Sequence, residues 1–374
     1  MLDFEVTARR GAARLGRLAL DHGVVETPAF MPVGTAGAVK AATWKDLEDA
    51  GAGIVLANTY HLMLRPGGDT IRRLGGLHRF VGWDRPILTD SGGFQVLSLA
   101  ANRKLSEEGV VFRSHLDGTP HALTPERAVE LQVVDFQVDV AMALDECTPW
   151  PASEEEARLS MERTHRWAAR GREAFLRSRP DGRSAQFGIV QGGMYASLRA
   201  ESAAAIAALG FEGIACGGVS VGEPKELMRA TVEVTAPLLP AGKPRYLMGV
   251  GRPDDLLHAV ERGFDLFDCV LPTRAARHGL LYTSEGALAI KQARYREDPA
   301  PPDPACPCPT CRRHSRAYLR HLFLLGEPTA AILLTRHNLQ AVLDLMRGIR
   351  EALAADRFEE YAARAAERFS PGKV

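Results

Sequence analysis

What this 374-residue chain lacks narrows the field first. No apolar run approaches the ~20 residues that a membrane-spanning helix needs. The leading segment MLDFEVTARRG has no apolar core of the signal-peptide kind, so a cytoplasmic protein with no membrane partner is expected. Net charge is zero, 46 Lys+Arg against 46 Asp+Glu, which argues against a wholesale nucleic-acid coat. Cysteines number six, too few for a disulfide scaffold in a chain this long. No glycine-rich phosphate loop is visible, because GVGRPDD lacks the lysine and serine of a Walker motif and reads as a tight turn.

What is present is an ordinary globular composition, 46% hydrophobic and 25% charged, long enough for one large barrel plus an appendage. Charge is unevenly spread. From Leu271 to Arg350 there are twelve Lys+Arg and six Asp+Glu, so that stretch is +6 and the remainder −6. Either it is a phosphate-facing patch, or arginines simply decorate helices.

Eight short β-rich runs recur along the chain: PAFMPV, GIVLANT, PILTD, VAMALD, QFGIVQ, GIACGG, RYLMGV and FDLFD. Helical segments separate most of them, such as TPERAVELQVVDF with its Thr cap followed by Pro and Glu. Alternation of this kind predicts a parallel sheet, and eight strands close a (β/α)8 TIM barrel. The expected organisation is a catalytic barrel over residues 1–270, with an N-terminal hairpin and an inserted hairpin near 109–123 turning at Asp117-Gly118. Residues 271–374 are expected to form a further hairpin, a metal-binding subdomain and C-terminal helices packed on the barrel.

Several strand runs end on Asn58, Asp90, Asp145, Gln191, Gly217-Gly218, Met248-Gly249 and Asp268. Chemistry in such barrels sits at the C-terminal rim, so these residues predict one pocket. Paired carboxylates flanking a bond suit glycosidic cleavage, one attacking or stabilising the anomeric carbon and one moving protons. Asp145 is followed by Glu146, and that pair offers a metal-binding alternative. A glutamine amide and a close-approaching glycine N–H suit a planar heterocycle.

Seven blocks, LTDSGGFQV, ALDECTP, FGIVQGG, GGVSVGE, YLMGVG, FDCVLPTR and CPCPTC with a later histidine, together resemble the bacterial tRNA-guanine transglycosylases. The resemblance runs from about Phe30 to beyond His337. It implies exchange of the wobble guanine of GUN-anticodon tRNAs for 7-aminomethyl-7-deazaguanine, by double displacement through a ribosyl-aspartate. It implies Asp268 as nucleophile, Asp90 as general acid/base, and Asp145, Gln191 and Gly218 as readers of the purine. It further implies Ser91 as a hydrogen bond beside Asp90, Phe94 and Met248 as a sandwich for the base, and the Val219 carbonyl as a contact. Arg274 and Arg277 match positions that meet the anticodon loop. Val221 and Cys147 match the bacterial pattern, and an archaeal-type C-terminal RNA-binding domain is not expected. A homodimer is also expected from the resemblance.

In PACPCPTCRRHSRAY, Cys306, Cys308 and Cys311 supply three metal ligands, and His314, His321 and His337 are candidates for the fourth. The resemblance implies His337, which would tie the proline-rich loop to the C-terminal helices. A closed Cys3His site is structural, so one Zn2+ per chain is expected as a clasp. Two rivals remain. A zinc-dependent alkyltransferase would carry its cysteines at strand ends, and a non-catalytic RNA-binding subunit could dispense with Asp90 or Asp268.

Overall fold

A computed structural model describes residues 2–99, 103–178 and 182–368. Eight parallel strands close into a barrel in sequence order: Ala29–Gly34, Val55–Ala57, Ile87–Thr89, Val140–Met142, Ala185–Val190, Gly213–Cys216, Arg245–Leu247 and Leu266–Cys269. The eighth strand pairs back onto the first, from Leu266 opposite Ala29 to Cys269 opposite Pro32, so the sheet has no open edge. These are the eight runs expected from the sequence. They are apolar without alternation because both faces are covered, and every residue of the fifth strand is buried. Met31, Leu56, Leu88, Met142, Phe187, Ile189 and Tyr246 belong to one buried cluster that fills the barrel, making it a packed core and not a pore.

Helices cover the outside. Thr124 caps Pro125–Val129, its hydroxyl accepting the Arg127 N–H at 3.2 Å, and the helix then widens into a π-turn over Glu130–Asp135. Glu154–Ser178, Ala196–Ala208, Lys225–Thr235 and Pro253–Glu261 follow the fourth to seventh strands. Among the described residues, no helix is long and apolar enough to cross a membrane.

Two additions are larger than the sequence implied. The N-terminal element is a three-stranded antiparallel sheet, Asp3–Arg10, Ala13–Leu20 and Gly23–Thr27, where a two-stranded hairpin was expected. The inserted hairpin pairs Val110–Arg113 with Pro120–Leu123 and gains Lys104–Leu105 as a third strand. Its connection is also longer than a two-residue turn. Arg113 and Pro120 are the last pair, and residues 114–119 form a loop in which Asp117 accepts the Thr119 N–H at 3.1 Å and Gly118 takes φ +75.

After the eighth strand, Leu280–Thr283 and Gly286–Ala289 form a hairpin, and Pro328–Ala354 is a long helix. Leu339, Val342, Met346 and Ile349 of this helix join the same buried cluster as Phe30, Leu47 and Phe267 of the barrel. Asn338 pins it laterally: Nδ2 donates to the Pro272 and Leu280 carbonyls at 3.0 and 2.9 Å, and Oδ1 accepts the Tyr282 N–H at 3.0 Å.

At the closed end of the barrel, Asp139 receives the His22 backbone N–H and imidazole Nδ1 at 3.0 and 2.9 Å, and the Ile87 N–H at 2.9 Å. His78 lies on its other oxygen at 3.0 Å. The two imidazoles stack, 3.6 Å apart and 11° from parallel. A single ion cannot lie in both ring planes, so the trio reads as a clasp of the N-terminal sheet and not as a metal site. The Asp139 hydrogen bond raises the His22 pKa, opposed by burial, with Asp21 adding to the rise and Arg183 subtracting. A group raised above its unfolded value stabilises below that value and loses the contribution as pH rises through the folded one. His22→Ala is therefore expected to lower the thermal midpoint more at about pH 6 than at about pH 8.5, measured by calorimetry at both. An equal loss at both would show that the imidazole acts through packing and a neutral hydrogen bond, not through its charge.

Candidate active site at the barrel mouth

Asp90 follows the third strand and is buried in a cradle built by the second strand's end. Its Oδ1 accepts the Thr59 N–H at 2.9 Å, and its Oδ2 accepts amide hydrogens from Gln95 at 2.8 Å and from Asn58. Asn58 is the N-cap of the helix Thr59–Leu64, so the Asp90 carboxylate takes the place of an anion at that helix start. Burial pushes its pKa up to about 6 against these three donors, and the charge of Asp268 adds to the rise. Asp268, on the eighth strand, is only half-buried. Its Oδ1 accepts the Tyr246 hydroxyl at 2.6 Å and the Gly249 N–H at 2.8 Å. Its Oδ2 takes no hydrogen bond among the described residues. Burial raises the Asp268 pKa while Tyr246 and Gly249 lower it.

Asp145 lies beyond the fourth strand, buried, with Oδ2 accepting Gln191 Nε2 at 2.7 Å and Oδ1 accepting the Ser91 hydroxyl at 3.4 Å. Ser91 thus serves Asp145, whereas a hydrogen bond beside Asp90 was expected. Burial pushes Asp145 up to about 6, opposed by Gln191 and Ser91 and reinforced by the Asp90 charge. Asp90 thus lies within electrostatic reach of both Asp145 and Asp268. Glu146 turns away to pair with Arg163, so the Asp145–Glu146 metal alternative finds no converging pair.

Gln191 directly follows the fifth strand and is fully buried, its N–H donated to Ser202 Oγ at 3.0 Å and its Oε1 without a partner among the described residues. Nε2 keeps a second hydrogen beyond the one given to Asp145. Gly218 must be glycine: φ is +65, and a Cβ would stand 2.5 Å from Gln191 Oε1. Its N–H has no oxygen acceptor among the described residues and lies against Cys147, whose thiol burial pushes up to about 12. Val219 is buried beside it, and Met248 is half-buried over the barrel interior. Phe94 is 49% exposed at the start of the helix Gly93–Leu99, a high value for a phenylalanine and a ready stacking face.

Arg274 and Arg277 stand on the short helix Leu271–Arg277 directly after Asp268. Arg277 Nε donates to the Thr273 carbonyl at 3.1 Å, and among the described residues neither arginine pairs with a carboxylate. Their charge is therefore free for an outside anion.

Away from the mouth, Cys306, Cys308, Cys311 and His337 bring one ligand atom each within 4.8 Å of one another, a set that could hold a metal ion. His337 Nδ1 lies 3.2 Å from Cys311 Sγ and 3.8 Å from Cys308 Sγ, while Nε2 meets the Tyr282 carbonyl at 2.8 Å. That outer contact fixes the ring and leaves Nδ1 as the ligand atom. Cys308 sits at the N-cap of the helix Pro309–Arg313, its Sγ accepting the Cys311 N–H at 3.4 Å. Neither His314, which stacks on Tyr318, nor exposed His321 joins the cluster. All six cysteines are free of disulfides.

Asn58 is legible in the sequence only as a polar strand end of the pocket, with no assigned role, and Gln95 and Tyr246 are not among the expected site residues. Asn58 and Gln95 each had a signal, a polar strand end and a polar side chain inside LTDSGGFQV, while Tyr246 reads as core.

Residues 9–371 match the family model described as queuine tRNA-ribosyltransferase. Curated proteins called queuine tRNA-ribosyltransferase are similar over nearly their whole length. The Cereibacter sphaeroides protein is 55% identical over 360 residues, 96% of this chain and 95% of its own. The Aromatoleum aromaticum protein is 56% identical over 364 residues, 97% of each chain. The Desulforudis audaxviator protein is 56% identical over 357 residues, 95% of each.

Proposed function

Since the chain belongs to the queuine tRNA-ribosyltransferase family, a family of pentosyltransferases, we propose that its barrel mouth exchanges the wobble guanine of GUN-anticodon tRNAs for 7-aminomethyl-7-deazaguanine. The observation that carries the reading is the division among three carboxylates at one mouth. Asp268 keeps Oδ2 unengaged, while Asp90 and Asp145 are each pushed up to about 6 by burial.

The chemistry follows from that division. Asp268 Oδ2 attacks C1′ of the ribose as the bond to N9 of guanine breaks, and the electron pair leaves with the purine. Tyr246 and Gly249 on Oδ1 orient the attacking carboxylate. Asp90, whose pKa sits near neutrality, passes a proton to the departing base and takes one from the incoming base. Two displacements at Asp268 retain configuration at C1′. Asp145 accepts the paired N–H groups of the guanine edge, and Gln191 Nε2 and the Gly218 N–H donate where negative charge develops on its oxygen. The Val219 carbonyl faces the base, with Phe94 and Met248 stacking on it. Ser91 steadies Asp145.

The Cys3His cluster suits Zn2+. A tetrahedral zinc at ordinary bond lengths has ligand-to-ligand edges of about 3.6–3.8 Å, close to the 3.2 and 3.8 Å from His337 Nδ1 to Cys311 and Cys308. With four protein ligands it is a structural clasp within residues 271–374, while residues 1–270 carry the chemistry. A homodimer in the cytoplasm completes the reading.

The direct test is incubation with radiolabelled guanine and an anticodon hairpin carrying a wobble guanine. Label should enter the RNA and be displaced by 7-aminomethyl-7-deazaguanine but not by adenine. No incorporation would reject the reading. Arg277→Ala is expected to weaken RNA binding and to reduce the salt-dependence slope by about 1, with little change in kcat. A loss confined to kcat would remove Arg277 from the RNA surface.

A further inference from the structure

Arg199 is fully buried in the first turn of the helix Ala196–Ala208. Among the described residues no carboxylate pairs with it. Its guanidinium is surrounded by carbonyls: Nε donates to Gly193 at 2.8 Å, Nη1 to Val190 at 3.2 Å and to Gly217 at 2.7 Å, and Nη2 to Gly218 at 3.3 Å. Cys216 Sγ lies 3.6 Å from Nη1. Burying a cation without a counter-ion in contact is costly, Glu223 acting on it only at a distance, and a neutral side chain could join some of these carbonyls at lower cost. The charge itself therefore calls for an explanation.

The shortest of these bonds supplies one. The Gly217 carbonyl and the Gly218 N–H belong to one peptide group, so a cation bonded to the oxygen withdraws electrons from the nitrogen at its other end. Hydrogen bonds in series strengthen one another in this way, most in a dry site. In a trans peptide the N–H lies opposite the carbonyl, so the Gly218 N–H faces away from Arg199 and meets the Cys147 thiol, a weak acceptor that a purine oxygen can replace.

We propose that Arg199 is a positioning residue of the base exchange, polarising the Gly217–Gly218 peptide so that the Gly218 N–H holds the departing purine anion more strongly. The inference rests on the function proposed above. A ground-state purine carries little charge on its oxygen, and an anion leaving with the N9 electron pair carries much. The gain is therefore largest as the bond breaks. Arg199 touches neither ribose nor base. It acts through one peptide and also holds the loops that end the fifth and sixth strands.

The leaving base separates polarisation from mere bracing. Hairpins bearing guanine or the more acidic 8-azaguanine at the wobble position are mixed with enzyme in a single turnover, and formation of covalent RNA–protein is timed. Arg199→Gln should slow release of guanine by about 10–100-fold. Release of 8-azaguanine, which leaves more easily, should slow only a few-fold. Arg199→Lys, which keeps a cation with fewer donors, should show the same split at smaller size, and it decides the matter should the glutamine variant not fold. Equal slowing for both bases would make Arg199 a brace and overturn the proposal. If the parent enzyme traps neither RNA, the function proposed above fails instead.

Discussion

Asp268→Asn is expected to abolish base exchange and the trapping of RNA on the protein, with an unchanged fold. The loss should be on the order of 10⁴-fold or more, as when a covalent nucleophile is removed elsewhere. An amide oxygen carries no charge to place on C1′, and neither Tyr246 nor Gly249 can restore one. Structure should survive because the amide oxygen still accepts from the Tyr246 hydroxyl and the Gly249 N–H, now at 2.6 and 2.8 Å from Oδ1. Burial already disfavours the Asp268 charge, so neutralising it removes a desolvation cost. Denaturing gel electrophoresis after incubation with the hairpin reads the trapped species, and thermal melting reads the fold. Exchange near the parent rate would move the nucleophile elsewhere.

The second large effect is expected at the metal cluster. His337→Ala, Cys308→Ser or strong chelation should each lower the thermal midpoint by roughly 5–10 °C, since loss of a metal site ranks among the most destabilising single changes and a chain of this size shifts a few degrees per kcal/mol. His337 is fully buried, and its ring is held from behind by Tyr282, so the ligand cannot be replaced by water without opening the helix Pro328–Ala354. Elemental analysis should find about one zinc per chain before treatment. Exchange should fall only in step with the folded fraction, because the four ligands enclose the ion and leave no position for substrate. A melting curve indifferent to chelation would make the cluster four idle side chains. Full loss of exchange in a well-folded, metal-free protein would make the metal catalytic.

The barrel was legible because its signals are local. Each strand is a short apolar run, and most end on a polar residue or a glycine that announces the rim. Asp90, Asp145, Gln191, Gly218 and Asp268 stand in the sequence at those ends, and the structure brings them to one mouth. What stayed hidden depends on long reach. Tyr246 sits inside an apolar run and reads as core, yet its hydroxyl reaches the carboxylate of Asp268 on the next strand, 22 residues on. Arg199 lies in an alanine-rich helix and reads as a surface charge, although it is buried because the helix begins against the Gly217–Gly218 loop. Ser91 adjoins Asp90 in sequence, but the backbone turns it toward Asp145. The third N-terminal strand, GVVET, is short, with Gly23, Val24 and Glu26 exposed, a pattern that does not rise above a loop.

The long helix near the end of the chain has a consequence for synthesis. Arg350 donates to the Pro28 carbonyl at 2.8 Å, next to the first barrel strand, and Val342 and Met346 are packed among residues from the beginning of the polypeptide. A ribosome that has released only the first 270 or so residues has therefore made a ring still missing part of its wrapping. Products that stop there should clump or call on chaperones, however complete their chemistry is on paper.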